Sequence, residues 1–268
     1  MMRICFLGVG EAFDELYPNT SLLVSFPNPD GDAHVLLDCG FTAPAAYYRH
    51  APDDARTCSA LDAVWISHFH GDHFLGLPLL LLRFWEEGRT LPLTIVGQAG
   101  VEEKVWAAFE LAYPGFRPRL QFPVCFLEAV PGEVIHVAGA RWSFALGDHS
   151  AVTPCLAVRL DRDGQSVVYS GDGRPSPATA ELAQGVDLLV HEAYGLDPDT
   201  PGHGGVPGCL KLARDVRARN LALVHVNRRV RQESAGVIRA MLAQAMGGHG
   251  VLPEPGDVIT LERALDHG

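Results

Sequence analysis

Short apolar runs recur along this chain, and polar or ionisable residues follow directly after many of them. The runs are rich in β-branched residues, which favour strands. Several end in or just before Gly, Asp or His, as in "AVWISH", "SVVYSGD", "DLLVHE" and "LALVHV". A fold built from such strands collects its polar residues at the strand ends, where side chains from different strands can meet.

Helical patterns lie between some of these strands. Apolar spacing close to 3.6 residues predicts helices in "VEEKVWAAFELA", "VPGCLKLARDVRARN" and "ESAGVIRAMLAQAMGG". The segment from 120 to 170 is almost entirely strand-like and carries turn signals, which favours antiparallel meanders. The pattern predicts an α+β fold with helices packed on sheets. We find no linker or long repeat, so we expect one domain over residues 1–268.

The charge balance bears on the class of partner. The 268 residues include 32 acidic and 21 basic residues, a formal charge of -11. This balance argues against a broad nucleic-acid-binding surface, because such surfaces gain affinity by neutralising phosphates. The densest basic stretch, "NRRVR" at Asn227 to Arg231, is interpreted as a solvated helix start.

Cysteine usage and hydropathy bear on the compartment. The six cysteines form no CxxC pair, which favours reduced thiols in a cytoplasmic protein. The opening "MMRICFLGVG" becomes polar too quickly for a signal peptide. The longest apolar run, "FLGLPLLLL", is far shorter than the roughly 20 residues of a membrane span, so we predict a buried helix and no membrane association.

One stretch, "SHFHGDHFLG", concentrates metal-binding chemistry after the run "AVWIS". Imidazole nitrogens and carboxylate oxygens are ligands that divalent transition metals prefer. His68 and His70 are two positions apart and project to the same side of an extended chain. Asp72 and His73 begin the next helix and aim at a neighbouring point. Four ligands split between two directions can start two adjacent metal centres.

Further ligands must come from elsewhere, because each centre needs at least three protein ligands. His149, Asp172 and His225 each follow an apolar strand and precede a polar loop. A carboxylate such as Asp172 has two oxygens and can bridge two cations. The candidate set is five histidines and two aspartates: His68, His70, Asp72, His73, His149, Asp172 and His225.

The cluster closely resembles the H-x-H-x-D-H motif of the metallo-β-lactamase superfamily. Later motifs occur in the order that this family uses for its remaining ligands, and others resemble its opening strand, its supporting aspartate and its tRNase Z branch. These motifs span the chain from Phe6 to about Arg229. The motifs that match the remaining ligands are "GDHS", "YSGDG" and "VHV". The motif "FLGVGEAF" resembles the opening strand, and "LLDCG" resembles the strand with the supporting aspartate. The motif "LLVHEAY" followed by "GHGG" resembles the tRNase Z branch.

The resemblance implies a four-layer αββα sandwich with a dinuclear site at its edge, usually of zinc, with Mn²⁺ or Fe²⁺ as alternatives. It implies that one metal is held by His68, His70 and His149. The other is held by Asp72, His73 and His225, and Asp172 bridges the two.

A two-metal site of this kind implies hydrolysis by a hydroxide held between the ions. Asp72 could accept a proton from the bridging water. In the tRNase Z branch, a Glu–His pair helps to protonate the leaving alkoxide, and the motifs place that pair at Glu192 and His203. Acid catalysis of this type suits the cleavage of a P–O bond.

Two departures from the tRNase Z pattern concern the substrate. The branch carries a long basic arm that grips tRNA, yet only 22 residues separate His149 from Asp172. The chain also reads "HGGV" where the branch has His followed by Ser or Thr. These features, with the acidic balance, favour a small phosphodiester or another compact ester as substrate.

Other functions stay open at this point. One is a tRNA 3′-processing endonuclease, with part of a basic face supplied by a second subunit. Another is hydrolysis of a lactone or a sulfate ester, because a dinuclear core does not select the bond. A metal-bearing scaffold without turnover fits less well, because it needs no proton donor. We expect a homodimer.

Overall fold

Two mixed seven-stranded sheets form the centre of the computed structural model, which describes residues 1–29, 31–197 and 200–262. The first sheet has the order β14-β1-β2-β3-β4-β5-β6, and its strands β3 to β6 run parallel. Its strands are β1 (Arg3–Gly8), β2 (Ser21–Asn28), β3 (Gly31–Leu37), β4 (Leu61–Ile66), β5 (Leu93–Gly97), β6 (Val124–Glu128) and β14 (Val258–Thr260).

The second sheet mirrors this arrangement, with the order β13-β12-β11-β10-β9-β8-β7. Its strands β10 to β13 run parallel, and β7 to β10 form an antiparallel meander. Its strands are β7 (Val134–Val137), β8 (Ala140–Leu146), β9 (Leu156–Arg162), β10 (Gln165–Tyr169), β11 (Leu188–Glu192), β12 (Asn220–Val224) and β13 (Gly250–Val251).

Helices cover the outer faces of both sheets. On the first sheet lie α1 (Ala43–His50), α2 (Gly71–Phe74), α3 (Leu77–Glu86) and α4 (Val101–Ala112), and on the second lie α5 (Pro177–Leu182), α6 (Val206–Asp215) and α7 (Arg228–Met246). Short 3-10 turns occupy Arg117–Arg119 and Gly247–His249. Within the described ranges, no helix combines the length and apolar character that a bilayer crossing requires.

Three apolar layers hold the sandwich together. In the central layer Trp65 of β4 stacks on Phe144 of β8, with ring centroids 5.2 Å apart. The alternate residues Val64 and Ile66 point to the helices on the other side of the same strand. Both faces of the central strands are therefore buried, which explains why their sequences are apolar without alternation. The predicted αββα sandwich is confirmed.

The predicted helices are confirmed at α4, α6 and α7, but α7 begins at Arg228, before the segment that the apolar spacing indicated. Asn227 caps it by accepting hydrogen bonds from the backbone of Arg229 and Val230. The "NRRVR" stretch is thus a helix start, but it is not uniformly solvated. Arg231 is buried, and Arg228 is paired with Glu11 at 2.7 Å.

The strand-rich segment between 120 and 170 differs from a single meander. Its first strand, β6, pairs in parallel with β5 in the first sheet, and β7 begins the second sheet. The turn between β6 and β7 therefore carries the chain from one sheet to the other. Local strand propensity could not reveal this change, because β6 and β7 are both short strands rich in apolar residues.

Candidate metal centre

Strand direction explains why distant polar residues meet. Strands β10, β11 and β12 are parallel, and β8 points the same way because both β8 and β10 are antiparallel to β9. In the first sheet β3 and β4 are likewise parallel. The residues that follow these strands gather at one edge of the sandwich. They include all seven predicted ligands: His68, His70, Asp72, His73, His149, Asp172 and His225.

One group consists of Asp72, His73, Asp172 and His225, whose ligand atoms lie within 4.8 Å of one another. His73 Nε2 is 3.3 Å from Asp72 Oδ2 and 3.1 Å from Asp172 Oδ1. His225 Nε2 is 3.3 Å and 3.5 Å from the same two oxygens and 3.4 Å from His73 Nε2. A tetrahedron with bonds of about 2.0–2.1 Å has edges of about 3.3–3.4 Å. The spacing therefore matches tetrahedral coordination.

The other group consists of His68, His70, His149 and Asp172, again within 4.8 Å. His149 Nε2 lies 3.3 Å from His70 Nδ1, and His68 Nε2 lies 3.8 Å from Asp172 Oδ2. Asp172 thus presents Oδ2 to this group and Oδ1 to the first. Its carboxylate lies between the two groups, as expected for a bridging ligand.

The donor atoms fit divalent cations. His68 Nε2 is buried and makes no hydrogen bond with protein atoms. Polar atoms without partners are costly to bury, so such atoms call for a ligand. The donors are imidazole nitrogens and carboxylate oxygens, with no thiolate among them, which suits zinc and neighbouring divalent metals.

A buried carboxylate behind the cluster orients two of its residues. Asp38 accepts hydrogen bonds at 2.7 Å from His73 Nδ1, from the backbone and hydroxyl of Ser67, and from the Tyr169 hydroxyl. The Ser67 hydroxyl in turn faces His68 Nδ1 at 3.0 Å. With Nδ1 engaged, each imidazole directs Nε2 at the cluster, as metal-ligating histidines commonly do.

Backbone conformation at the site is constrained. Asp38 and His225 both have positive φ values, 61° and 54°, which residues other than glycine rarely adopt. Each comes directly after the last residue of a strand, where the chain turns sharply and directs the side chain toward the cluster. At Gly40 a Cβ would lie 1.8 Å from the Asp72 carbonyl oxygen, so only glycine allows this loop to contact α2.

Ionisation differs between the two groups in the metal-free chain. Burial, together with the neighbouring His73, lowers the pKa of His68 well below its usual value. Burial acts in the same direction on His225, but the Asp172 charge and the hydrogen bond to Asp72 outweigh it and raise the pKa to about 9. For His73, burial is likewise outweighed by Asp172 and Asp38, so its pKa is raised.

These shifts predict how metal affinity depends on pH. The raised pKa values favour the protonated forms of His225 and His73 near neutral pH, whereas ligation requires their neutral forms. We expect the affinity of the Asp72, His73, Asp172 and His225 group for Zn²⁺ to increase from pH 6.5 to 8.5. The increase should be about tenfold per pH unit for each proton displaced.

Competition with a chromophoric chelator at three pH values measures this affinity, and calorimetry in two buffers with different ionisation enthalpies counts the protons released. A pH-independent affinity without proton release would contradict the assignment of these two histidines as ligands.

Beside the cluster, Glu192 and His203 form the pair that the sequence predicted. The Glu192 carboxylate is fully buried and accepts hydrogen bonds from three backbone N–H groups, of Gly173, Tyr194 and Gly204. Its Oε1 also accepts from His203 Nδ1 at 3.1 Å. The His203 ring lies 5.1 Å from that of His149 and 6.0 Å from that of His225, measured between centroids.

Sequence reasoning missed several residues of this site. Ser67 and Tyr169 bind Asp38, but serine and tyrosine beside a strand end carry no specific signal. Tyr194 ends the motif "LLVHEAY", but the motif does not indicate its contacts: its ring stacks on His203, and its hydroxyl accepts a hydrogen bond from Asn227. These contacts join segments that are far apart in the chain, so only the fold reveals them.

Comparison with known proteins identifies the family. The family model described as "Beta-lactamase superfamily domain" matches residues 33–226, well over half of the chain. The chain belongs to the beta-lactamase superfamily. This superfamily membership agrees with the αββα fold, and together with the His/Asp cluster it supports divalent-metal binding.

Within the superfamily, the predicted likeness to the tRNase Z branch is confirmed. Ribonuclease Z of Halorubrum lacusprofundi is 28% identical, with 96% of each chain covered. The structure of Bacillus subtilis YhfI, a metallo-beta-lactamase fold protein, aligns with TM-score 0.77 and 20% identity over 97% of this chain and all of that one. Human tRNase Z, short form, aligns with TM-score 0.73 and 21% identity over 97% and 99% of the two chains.

Proposed function

We propose that this chain hydrolyses a small phosphodiester with the help of two zinc ions. The observation that carries the proposal is one edge of the sandwich where seven nitrogen and oxygen ligands lie beside a histidine held by a buried glutamate. The reaction is metal-dependent hydrolysis of the phosphodiesterase type. One zinc ion would be held by His68, His70 and His149, the other by Asp72, His73 and His225, with Asp172 between them.

Two bound divalent cations supply Lewis-acid polarisation of a phosphoryl oxygen and lower the pKa of water to near neutrality. The protein's part is to orient the ligands and to move protons. Asp72 lies at the start of α2, and its Oδ2 is 3.3 Å from the Nε2 atoms of both His73 and His225. We assign to its carboxylate the role of accepting a proton from the attacking water.

We assign to His203 the role of protonating the leaving oxygen. Burial lowers its pKa, but the hydrogen bond and the charge of Glu192 more than offset this effect, so the pKa is raised. A higher pKa increases the fraction of imidazolium near neutral pH, which general-acid catalysis requires. Glu192 engages Nδ1, so Nε2 is the ring nitrogen that can face the substrate.

The substrate is proposed to be small because nothing between the ligands His149 and Asp172 could act as an arm. That stretch contains β9 and β10, which pair antiparallel around the turn at Asp163 and Gly164. Two of the three arginines in the "NRRVR" stretch are also engaged within the protein: Arg228 is paired with Glu11, and Arg231 is buried.

A tRNA 3′-processing endonuclease is the second candidate. It is favoured by the match to ribonuclease Z, which covers 96% of both chains. That alignment spans 309 positions, more than the 268 residues of this chain, so the relative carries residues that have no counterpart here. In this case a homodimer, which we also predict, would bring a second subunit's surface to the tRNA.

A substrate panel separates these functions. Chromogenic phosphodiesters, phosphomonoesters, lactones and sulfate esters are assayed beside a precursor tRNA, with the Zn²⁺-loaded protein. We expect phosphodiesters to be cleaved with the highest kcat/KM. Cleavage of the precursor tRNA with a higher kcat/KM would establish the endonuclease instead, and preference for a lactone or a sulfate ester would overturn both.

Replacing His203 with alanine tests the proposed proton donor. General acids contribute about 10²–10⁴-fold to rates. We expect a loss of roughly 10²-fold for a phosphodiester with an alkyl leaving group, and a much smaller loss for a nitrophenyl diester, whose leaving group needs no proton. Steady-state kinetics on both substrates and metal analysis measure the effect.

His249→Ala is a matched control, because His249 is an exposed histidine in the 3-10 turn after α7 that binds only Asn220 within the described residues. Glu192→Gln should move the alkaline limb of the alkyl-diester rate to lower pH, because it removes the charge that raises the pKa of His203. Equal losses on both substrates for His203→Ala would contradict an acid role.

A further inference from the structure

Tyr194 packs directly against the proposed proton donor. Its ring lies 4.6 Å from the His203 ring, with 25° between the planes, so one face of the imidazole is stacked on the phenol. The His225 ring is 6.0 Å from His203 and 6.4 Å from Tyr194. The three rings therefore form a triangle: Tyr194 makes the closer stacking contact with His203, and the His225 ring lies farther away with only 12° between its plane and that of His203.

The hydrogen bond from His203 Nδ1 to Glu192 does not by itself set the plane of the imidazole. One bond fixes the position of one ring atom, but the ring can still tilt about that contact, which moves Nε2 on the opposite side. His203 also lies in a loop between β11 and α6, with about a quarter of its side chain exposed. A flat stacking partner removes this remaining freedom, because offset stacking favours parallel planes.

Tyr194 is itself held at both ends. Its hydroxyl accepts a hydrogen bond from Asn227 Nδ2 at 3.0 Å, and its carbonyl accepts from the Asn227 backbone at 2.9 Å. Asn227 is the N-cap of α7, so it belongs to a rigid element. The Tyr194 backbone N–H donates to Glu192 Oε2 at 3.2 Å. One residue thus contacts the imidazole, the glutamate that binds the imidazole, and the cap of the neighbouring helix.

We propose that Tyr194 is a positioning residue that holds the His203 imidazole in the plane from which Nε2 reaches the leaving oxygen. This inference rests on the proposed function, because it assigns Tyr194 a role in the same proton transfer. Tyr194 donates no proton in this role, and its hydroxyl is engaged by Asn227. Its contribution is the orientation of another group, and a misplacement of about 1 Å at a reacting centre can cost about 10²-fold in rate.

The test compares three substitutions of Tyr194 in the Zn²⁺-loaded protein. Tyr194→Ala removes the stacking face and should lower kcat for an alkyl phosphodiester by about 10- to 100-fold. The loss for the nitrophenyl diester should be much smaller. Tyr194→Leu keeps most of the volume without a flat face and should behave like alanine. Tyr194→Phe keeps the ring and should retain the alkyl-diester rate within about threefold.

A double-variant cycle shows whether Tyr194 acts through His203. If it does, adding Tyr194→Ala to His203→Ala should cause no further loss beyond about twofold, because coupled residues are not additive. Multiplied losses in the double variant, or equal losses on both diesters in Tyr194→Ala and Tyr194→Leu, would overturn the proposal. So would a Tyr194→Phe variant as slow as Tyr194→Ala.

Metal content and thermal melting are measured for every variant, and rates are compared only among variants that retain their metal. If Tyr194→Ala does not fold, the Leu and Phe variants still decide the outcome. Failure of the inference is distinct from failure of the proposed function. If only the inference fails, His203→Ala still loses more activity on the alkyl diester than on the nitrophenyl diester, whereas the Tyr194 variants show no such difference. If the proposed function fails, His203→Ala shows no such difference either.

Discussion

Replacing Asp172 with alanine should abolish hydrolysis and weaken metal binding in both halves of the site. Asp172 Oδ1 lies 3.1 Å from His73 Nε2, and its Oδ2 lies 3.8 Å from His68 Nε2. No other residue among the described ones belongs to both four-residue ligand groups. Because the proposed reaction depends on two cations, we expect a loss of roughly 10⁴-fold or more in kcat/KM.

Metal analysis of the purified variant, by mass spectrometry after desalting, should show fewer than about one equivalent, against about two in the unchanged protein. Asp215→Ala provides the control, because Asp215 is an exposed aspartate at the end of α6 that pairs only with Lys211 among the described residues. Two equivalents of metal and full activity in Asp172→Ala would overturn the assignment of a shared ligand.

Replacing Asp38 with alanine should have the second-largest effect, although this carboxylate is not a proposed ligand. It is fully buried and accepts four hydrogen bonds, from Ser67 N and Oγ, His73 Nδ1 and the Tyr169 hydroxyl. The substitution leaves all four donors buried without this acceptor. Removing one partner from a buried charged network costs about 3–5 kcal/mol in the free energy of unfolding.

The same substitution should reduce metal affinity about 10- to 100-fold, because His73 loses the group that orients its ring. Chemical denaturation and a chelator competition measure the two effects. Tyr169→Phe removes only one of the four donors and should cost about 1 kcal/mol with little change in metal affinity. An Asp38→Ala variant as stable as Tyr169→Phe would show that the network contributes no more than a single hydrogen bond.

Much of the candidate site could be predicted from the sequence because most of its candidate residues lie in short local motifs. His68, His70, Asp72 and His73 lie within six positions, and a cluster of that density has few roles other than metal binding. His149, Asp172 and His225 could be added because each follows a strand and matches a family motif. The Glu192–His203 pair came from the resemblance, and the structure brings the two side chains within hydrogen-bonding distance.

The parts that could not be predicted depend on contacts between distant segments. Tyr194 meets His203 and Asn227, which follow it by 9 and 33 positions, and nothing in the local sequence indicates those contacts. Asp38 receives hydrogen bonds from residues on β10 and from the loop after β4. Strand pairing could not be predicted from the local sequence either, since β6 and β7 lie in different sheets although they are neighbours in the chain.

By itself the sequence indicated the candidate residues for the chemistry, that they follow strands, and a resemblance to the family to which the chain belongs. The candidates and the strands follow from residue type and short-range periodicity, and the resemblance follows from short motifs, none of which need the rest of the molecule. The tertiary structure alone decided that Asp172 presents one oxygen to each ligand group, and that Tyr194 lies against the imidazole of His203. Both depend on how the strand ends converge at one edge of the sandwich, and that convergence is set by the packing of the two sheets across their shared core.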